Sequence, residues 1–412
     1  MSINVLMPNE ARAPSSARVP GKVPQAIAPD FNTRMRAVAD IAAQHADSVD
    51  RESRFPKESF DALRAHRLLA VLVPRQFGGE EASIQDVSDM CYALGRVCSS
   101  TALIFAMHHI KLACLVRHGT GSAWLENLMR RVAAEQMLLA SSTTEGMNGG
   151  NVRSSAAAVE RDGAGISLNR AATVMSYGRE ADGLLTVARR APDTASSDQV
   201  LVAFTRDDYT LEWTGGWETL GMRGTGSAGF DLKAHGVADQ VFAESYDKIH
   251  AQTMIPYAHI CWGSTWAGIA AAAVDRAQAF VRKAARQSGG KMPPGASHVT
   301  SAKRSLNKLR ALLTSSMDHF SSIQLDEKAI SSLAFQSAIT LLKVEASELA
   351  LATVMSSVRA CGLSGYRTDG EFSVGRQLRD ILSAPLMINN DRILANIETV
   401  TLMSGAPLGL RD

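Results

Sequence analysis

The stretch that decides the fold is RDILSAPLMINN, residues 379–390. It opens on a charged pair, Arg379-Asp380, and continues into an apolar run that leads to the last helical pattern of the chain. Asn390 and Asp391 are residue types that cap a helix start. The informative position is nine residues after Arg379, where the chain has the apolar Ile388.

Composition places the chain among ordinary globular proteins. Of 412 residues, 46% are hydrophobic and 20% charged, and the net charge of +2 favours neither nucleic acid nor a membrane surface. Five scattered cysteines without a CxxC pair indicate reduced thiols, so we expect a cytoplasmic protein. We predict no membrane span, because the longest apolar run, around residues 266–274, is cut by Asp275-Arg276. We also predict no metal site, since His108-His109 lacks helical i,i+4 spacing.

The order of sequence patterns predicts an α+β fold in three parts. After a tail at 1–28 that we expect to be flexible, apolar residues at three- and four-residue spacing predict helices over 29–136. Short β-prone runs between Gly, Asp and Asn predict a small antiparallel sheet or barrel at 137–246. Long helical patterns then predict an up-and-down bundle of about four helices at 247–412. This is not the alternation of a parallel βαβ fold.

Six short motifs in a fixed order carry the strongest functional signal. They include VPRQFGG at 73–79, LGMRGTGS at 220–227 and the stretch that begins at Arg379. Together they resemble the acyl-CoA dehydrogenase superfamily, including its flavin-dependent monooxygenase relatives. The resemblance implies an N-terminal helical domain, a central antiparallel β-barrel domain and a C-terminal four-helix bundle. It also implies FAD, with FMN as the less expected alternative, and a homotetramer or homodimer that completes each flavin site.

Two segments of the central part resemble the family's contacts with the flavin ring. Thr143 and Thr144, in a Gly/Asn-rich segment, match the strand and loop at the pyrimidine edge of the flavin. Ser176 matches the hydroxyl residue near flavin N5, and Val174 replaces the stacking Trp of the family. Hydrogen-bond donors at this edge stabilise the negative charge of a reduced flavin. The alternative is an ordinary turn with incidental hydroxyls.

The same resemblance leaves the usual catalytic base missing. The family has a Glu where this chain has Ile388, and the alternative Glu of branched-chain and long-chain enzymes corresponds to Ala258. His259 follows Ala258 and, by the resemblance, lies close to the flavin and the substrate α-carbon. An imidazole can take or give a proton near neutral pH, so His259 is our candidate catalytic residue. A single His near a helix start can equally be a cap or a packing residue.

Further residues are predicted, from the resemblance, to bind the distal part of the cofactor. The family's diphosphate-binding Arg corresponds to Ala284 here, and a neighbouring cation can replace it. The RACGLSGY turn at 359–366 resembles the turn that touches the adenine end across the dimer. The predicted residues are Arg286, Arg359, Gly362, Asn390 and Arg392.

The sequence leaves three functions open. The first is an FAD-dependent oxidoreductase acting on an acyl thioester of coenzyme A or a carrier protein, with an electron-transfer flavoprotein as partner. The second is a monooxygenase that receives reduced flavin from a flavin reductase and uses O2, which needs no base for an α-proton. The third is a non-catalytic flavin-binding relative in which Ile388 fills an unused pocket.

Overall fold

The computed structural model describes residues 30–145 and 153–403, and this part of the chain begins and ends with helices. The predicted tail at 1–28 and the last residues of the Gly/Asn-rich segment, 146–152, lie outside the described residues. The N-terminal helices are α1 Phe31–Arg51, α2 Lys57–Ala65, α3 Ile84–Gly95, α4 Ser99–His118 and α5 Ala123–Glu135. A capping box begins α3, because Ser83 Oγ accepts the amide of Asp86 while the Asp86 carboxylate accepts the amide of Ser83.

The central part contains two sheets. Their strands are β1 Leu139–Ser142, β2 Glu160–Asp162, β3 Gly165–Met175, β4 Gly183–Arg189, β5 Gln199–Thr205, β6 Tyr209–Gly215 and β7 Ala228–Val237. One sheet has the order β1-β4-β5 and the other β2-β3-β7-β6. Pairing is antiparallel except that β1 runs parallel to β4. The α+β class is confirmed, and the parallel pair is a detail that local β-propensity does not encode.

Helices return after β7. They are α6 Tyr246–Ile249, α7 Ile255–Gln287, α8 Ala296–Ile323, α9 Glu327–Ile330, α10 Leu333–Cys361, α11 Leu363–Tyr366, α12 Gly375–Ile381 and α13 Asn390–Met403, and α7, α8 and α10 are the long ones among them. A π-helical segment, His250–Met254, joins α6 to α7. Helices α7, α8 and α10 pack against one another, and α12 and α13 pack against α10. This places the segment between α12 and α13, which contains Ile388, against the bundle.

The run at 266–274, which the sequence pattern singled out, lies within α7, whereas the helix with the composition of a membrane span is α4. By length and composition alone α4 could cross a membrane, and it is the one helix of the described residues that could. However, 89% of its apolar window is buried inside the fold, with other helices and β1 packed around it. Helix α4 is therefore a core helix of the N-terminal part.

Candidate active site

The stretch that begins at Arg379 contacts the LGMRGTGS motif at 220–227. The amide of Met222 donates to Asp380 Oδ1 at 2.8 Å, and Arg379 Nη1 donates to the carbonyl of Leu220 at 3.1 Å. Arg379 also pairs with Asp50 of α1, at 3.0 and 2.5 Å. Burial raises the pKa of Asp380, which is only 3% exposed. The Arg-Asp pair thus joins the N-terminal part, the bundle and the turn at 220–227, and its role is structural.

Beyond this junction, the turn delivers a chain of three hydroxyl groups. Thr225 Oγ1 donates to the carbonyl of Met222 at 2.9 Å and lies 2.8 Å from Ser227 Oγ. Ser227 Oγ lies 2.7 Å from Ser176 Oγ. Because a carbonyl can only accept, the Thr225 proton is used at Met222, so Ser227 donates to Thr225 and Ser176 donates to Ser227. The half-buried Ser176 oxygen therefore ends the chain as an acceptor.

Thr144 lies at the same end of the sheet. Its Oγ1 donates to the carbonyl of Val174 at 3.3 Å, which ties the segment after β1 to the end of β3. Thr143 is half-buried beside it. The structure therefore brings Thr144 to Val174 and Ser176, which follow it by about thirty residues in the sequence. Their roles as cofactor contacts stay predictions.

A buried ion pair, which the sequence did not predict, holds the segment after β1 against β3. Arg170 Nη1 on β3 lies 2.8 Å from Glu145 Oε1, and the two side chains are 1% and 5% exposed. The carboxylate of Glu145 also accepts the amides of Ala156 at 2.6 Å and Ala157 at 3.3 Å. Glu145 thus binds both the sheet and the chain that follows residues 146–152. Its position directly after Thr144 in a polar segment was the only sequence signal.

The chemistry of these residues fits the polar edge of a flavin ring. Thr144, Val174 and Ser176 form what we call the flavin corner. It offers two hydroxyls, those of Thr144 and Ser176, and the apolar side chain of Val174, which is 45% exposed. Trp213 on β6 is 56% exposed and belongs to the same sheet. Hydroxyls beside exposed apolar groups are what a flat, amphipathic cofactor requires. Val174 supplies less stacking area than the Trp of the family.

His259 lies inside the helical bundle. It is 3% exposed on α7, and its Nδ1 donates to the carbonyl of Ile339 on α10 at 2.8 Å. Burial lowers the pKa of His259 to about 4, and the nearby Lys343 charge acts in the same direction. A neutral, buried imidazole that already joins two helices is suited to packing and is a weak proton acceptor at neutral pH. Its catalytic role stays a prediction.

A buried lysine, Lys343, binds the backbone of Ile388, the residue at the position of the family's base. Lys343 Nζ on α10 donates to the carbonyl of Ile388 at 2.9 Å and to Asn390 Oδ1 at 2.6 Å. Ile388 has φ +48°, a strained value for a β-branched residue, and Lys343 stabilises that conformation. Burial lowers the pKa of Lys343 to about 8. Sequence analysis missed Lys343 because a single Lys in a long helical pattern carries no signal of its own.

The other predicted cofactor contacts are distributed over the bundle. The amide nitrogen of Asn390 donates to Ser347 Oγ at 3.0 Å and to Glu348 Oε1 at 2.9 Å, so this side chain is engaged within the chain. Gly362 has φ +56° where α10 meets α11. The three arginines are exposed and form no ion pair with another described residue: Arg286, Arg359 and Arg392. All five roles stay predictions.

Comparison with known proteins places the chain in a family. The family description "Acyl-CoA dehydrogenase, N-terminal domain" matches residues 31–136, which correspond to α1–α5. The probable acyl-CoA dehydrogenase fadE25 of Mycobacterium bovis is 24% identical over 85% of this chain and 89% of its own length. These similarities support the acyl-CoA dehydrogenase superfamily that the sequence motifs predicted. The predictions of a flavoprotein and an oxidoreductase are confirmed at this level.

Other relatives in the superfamily differ in activity. Cyclohex-1-ene-1-carbonyl-CoA dehydrogenase of Geobacter metallireducens is 28% identical over 46% of this chain, and the match spans half of that relative. A probable FMNH2-dependent monooxygenase, SfnC of Pseudomonas putida, is 36% identical over 22% of the chain and 25% of its own length. Both branches of the resemblance are therefore represented.

Solved structures share the fold at low sequence identity. FMN-bound TdsC from Paenibacillus sp. A11-2 is 17% identical, with a TM-score of 0.77 over 92% of this chain and 98% of that one. The prolyl acyl carrier protein oxidase AnaB is 16% identical, with a TM-score of 0.76 over 90% and 98%. The superfamily uses FAD and has FMN-bound structural neighbours, as the cofactor prediction allowed.

Proposed function

We propose that the protein is a two-component flavin-dependent monooxygenase of the acyl-CoA dehydrogenase superfamily. The observation that carries this proposal is the environment of Ile388. Neither Ile388 nor Ala258 has a carboxylate, and the imidazole of the candidate residue His259 donates to the carbonyl of Ile339 inside the bundle. An α-proton therefore has no evident acceptor at these positions, whereas oxygenation does not require one.

The hydroxyl chain supports the same proposal. Ser176 ends the chain as an acceptor, because each hydroxyl up to Thr225 has its proton committed. An oxidised flavin presents an acceptor at N5, and a reduced one presents an N–H donor. If Ser176 faces N5, as the resemblance implies, it is matched to the reduced form. A protein that receives reduced flavin from a separate reductase needs this preference.

Reduced flavin would supply the two electrons with which O2 gives one oxygen atom to the substrate and one to water. The chain's own residues would hold the flavin edge through Thr144 and Ser176 and leave Val174 against the ring. Monooxygenases among the relatives and neighbours, SfnC and TdsC, favour this activity. The proposal also includes a flavin reductase as partner and a homo-oligomeric assembly.

A second candidate is oxidation of an acyl thioester, bound to coenzyme A or a carrier protein. It is favoured by fadE25, whose match spans most of both chains, and by the carrier-protein oxidase AnaB. In this case His259 would have to leave the carbonyl of Ile339 or act through its second nitrogen. The lost carboxylate makes this candidate weaker on physical grounds.

An anaerobic titration separates the two activities. We expect that a panel of acyl-CoA thioesters leaves the absorbance of oxidised flavin on the protein unchanged. We also expect that flavin reduced by an external reductant reacts rapidly with O2 when bound to the protein. Bleaching by any thioester before a reductant is added would contradict the monooxygenase proposal. The variant His259→Gln should then lose that bleaching if His259 is the base.

The polarity of the hydroxyl chain gives a separate test, the variant Thr225→Val. Without the Thr225 hydroxyl, Ser227 no longer donates to Thr225 and can donate to Ser176 instead, so Ser176 can turn its own proton outward. We expect the wild type to bind reduced flavin more tightly than oxidised flavin, and the variant to reduce this ratio about tenfold, the value of one hydrogen bond. Fluorescence titration under argon measures both affinities. Thr210→Val, an exposed position on β6, is the control, and an unchanged ratio in Thr225→Val would refute the assignment.

A further inference from the structure

A cavity lies at another place in the fold, away from the flavin corner. Its volume is about 490 Å³, and it is formed by the end of α1, the segment 368–373 and α12. None of Thr143, Thr144 or Ser176 lines it. Its charged lining residues are Arg51, Arg223, Arg276, Arg376 and Arg379 together with Asp47, Asp50, Asp369 and Glu371.

The carboxylates of this cavity are all neutralised by ion pairs. Two bind arginines of the lining, and two bind cations outside it. The pairs are Asp47–Arg376 at 2.5 Å, Asp50–Arg379 at 2.5 Å, Asp369–Arg367 at 2.8 Å and Glu371–Lys283 at 2.8 Å. Arg223 donates only to backbone carbonyls, those of Asp50, Arg51 and Thr219. Its positive charge is therefore not balanced by any carboxylate of the described residues.

Arg276 is the second unbalanced cation. It lies half-buried on α7, and its guanidinium has no hydrogen bond or ion pair with another described residue. The neighbouring carboxylates are already used, since Asp275 pairs with Arg96 at 2.7 Å and Asp47 pairs with Arg376. Burial and the Arg376 charge lower the pKa of Arg276. Such a group is destabilising unless an anion joins it.

A neutral side chain of the same cavity also lacks a partner. Gln377 on α12 is 4% exposed and lines the cavity, and its Oε1 accepts no hydrogen bond among the described residues. Buried amide groups in folded proteins are almost always bonded. An unpartnered amide and an unpartnered guanidinium that line one cavity both indicate a missing ligand.

We propose that this cavity binds a small phosphorylated molecule, with Arg276 and Arg223 on the phosphate and Gln377 Oε1 accepting a hydrogen bond from a hydroxyl or amino group of the same molecule. Arg51 pairs with Glu52 at 3.4 Å, so two guanidinium charges of the lining are left over. A phosphate is favoured over a single carboxylate because a phosphate dianion balances both charges. The site is separate from the predicted flavin diphosphate contact Arg286, which is ten residues, about 15 Å, further along α7. Since Arg223 and Thr225 share one turn, occupancy of the cavity stabilises the turn that carries the hydroxyl chain.

The test is calorimetric titration of the flavin-loaded, full-length protein with inorganic pyrophosphate, against sodium chloride at equal ionic strength. We expect saturable binding by the wild type, weakened roughly ten- to one-hundredfold in Arg276→Gln and less in Arg276→Lys. Arg282→Gln is the matched control, because Arg282 is an exposed arginine of the same helix outside the cavity, and it should bind as the wild type does.

Thermal unfolding and flavin content distinguish the remaining outcomes. Arg276→Gln should unfold no earlier than the wild type, because it removes an unpaired half-buried charge, and it should retain its flavin. Equal pyrophosphate affinity in Arg276→Gln and the wild type, or no saturable binding by the wild type, would overturn the proposal. A loss of flavin from Arg276→Gln would also overturn it, since the cation would then belong to the cofactor site.

Discussion

Replacing Arg170 by methionine is expected to lower the free energy of unfolding by about 3–5 kcal/mol. The substitution removes the Arg170 cation from the buried Glu145 carboxylate, which still accepts the amides of Ala156 and Ala157. It also removes the donor to the carbonyl of Val187. Urea unfolding followed by circular dichroism measures the change. Because Glu145 follows Thr144 directly, we expect the variant to retain less flavin as well.

Two further variants isolate the cause. In Arg170→Met combined with Glu145→Leu no charge is left buried, so most of the lost stability should return. Lys233→Met removes the cation of an exposed pair, Lys233–Glu212, whose side chains are 59% and 73% exposed. That variant should change the unfolding free energy by less than about 0.5 kcal/mol. A loss in Arg170→Met that is no greater than in Lys233→Met would show that the buried pair does not stabilise the fold.

The parts of the fold that could be predicted depend on short-range patterns. Helix periodicity and turn chemistry are local, so the order of helices, strands and helices was predicted from the chain alone. The motif at 220–227 and the stretch that begins at Arg379 were predicted as motifs of one family, and the structure joins them directly. Ser176 and Thr144 were predicted from motif spacing and do lie at one end of the sheet.

The parts that could not be predicted depend on pairing across the fold. Lys343 reaches Ile388 from 45 residues away, and nothing local distinguishes it from a solvent-exposed lysine of an amphipathic helix. Glu145 and Arg170 are complementary only because their strands place them together. For His259 the motif gave the position in the chain, whereas the burial and the bond to Ile339 come from the packing of α7 on α10. These roles depend on tertiary contacts, which the spacing of residues in the sequence does not predict.

Replacing Gly221 by alanine is expected to be as damaging as breaking the buried ion pair. A Cβ at this position would lie 2.2 Å from the carbonyl oxygen of Arg379 and 2.6 Å from the amide nitrogen of Asp380, so backbone must move. Overpacking against backbone costs roughly 1–3 kcal/mol, and separating Met222 from the buried Asp380 adds about 1–3 kcal/mol. Together these two contributions predict a loss of about 2–6 kcal/mol in unfolding free energy.

The effect of Gly221→Ala should extend to the flavin corner, because the junction with Asp380 holds the turn that carries Thr225 and Ser227. Flavin retained per chain after gel filtration measures this second effect. Gly216→Ala is the matched control in the same connection, since its Cβ would meet only Trp213 Cζ2 at 3.5 Å, an ordinary contact. If Gly221→Ala were as stable as Gly216→Ala and kept its flavin, the close approach of these two segments would not be what positions the site.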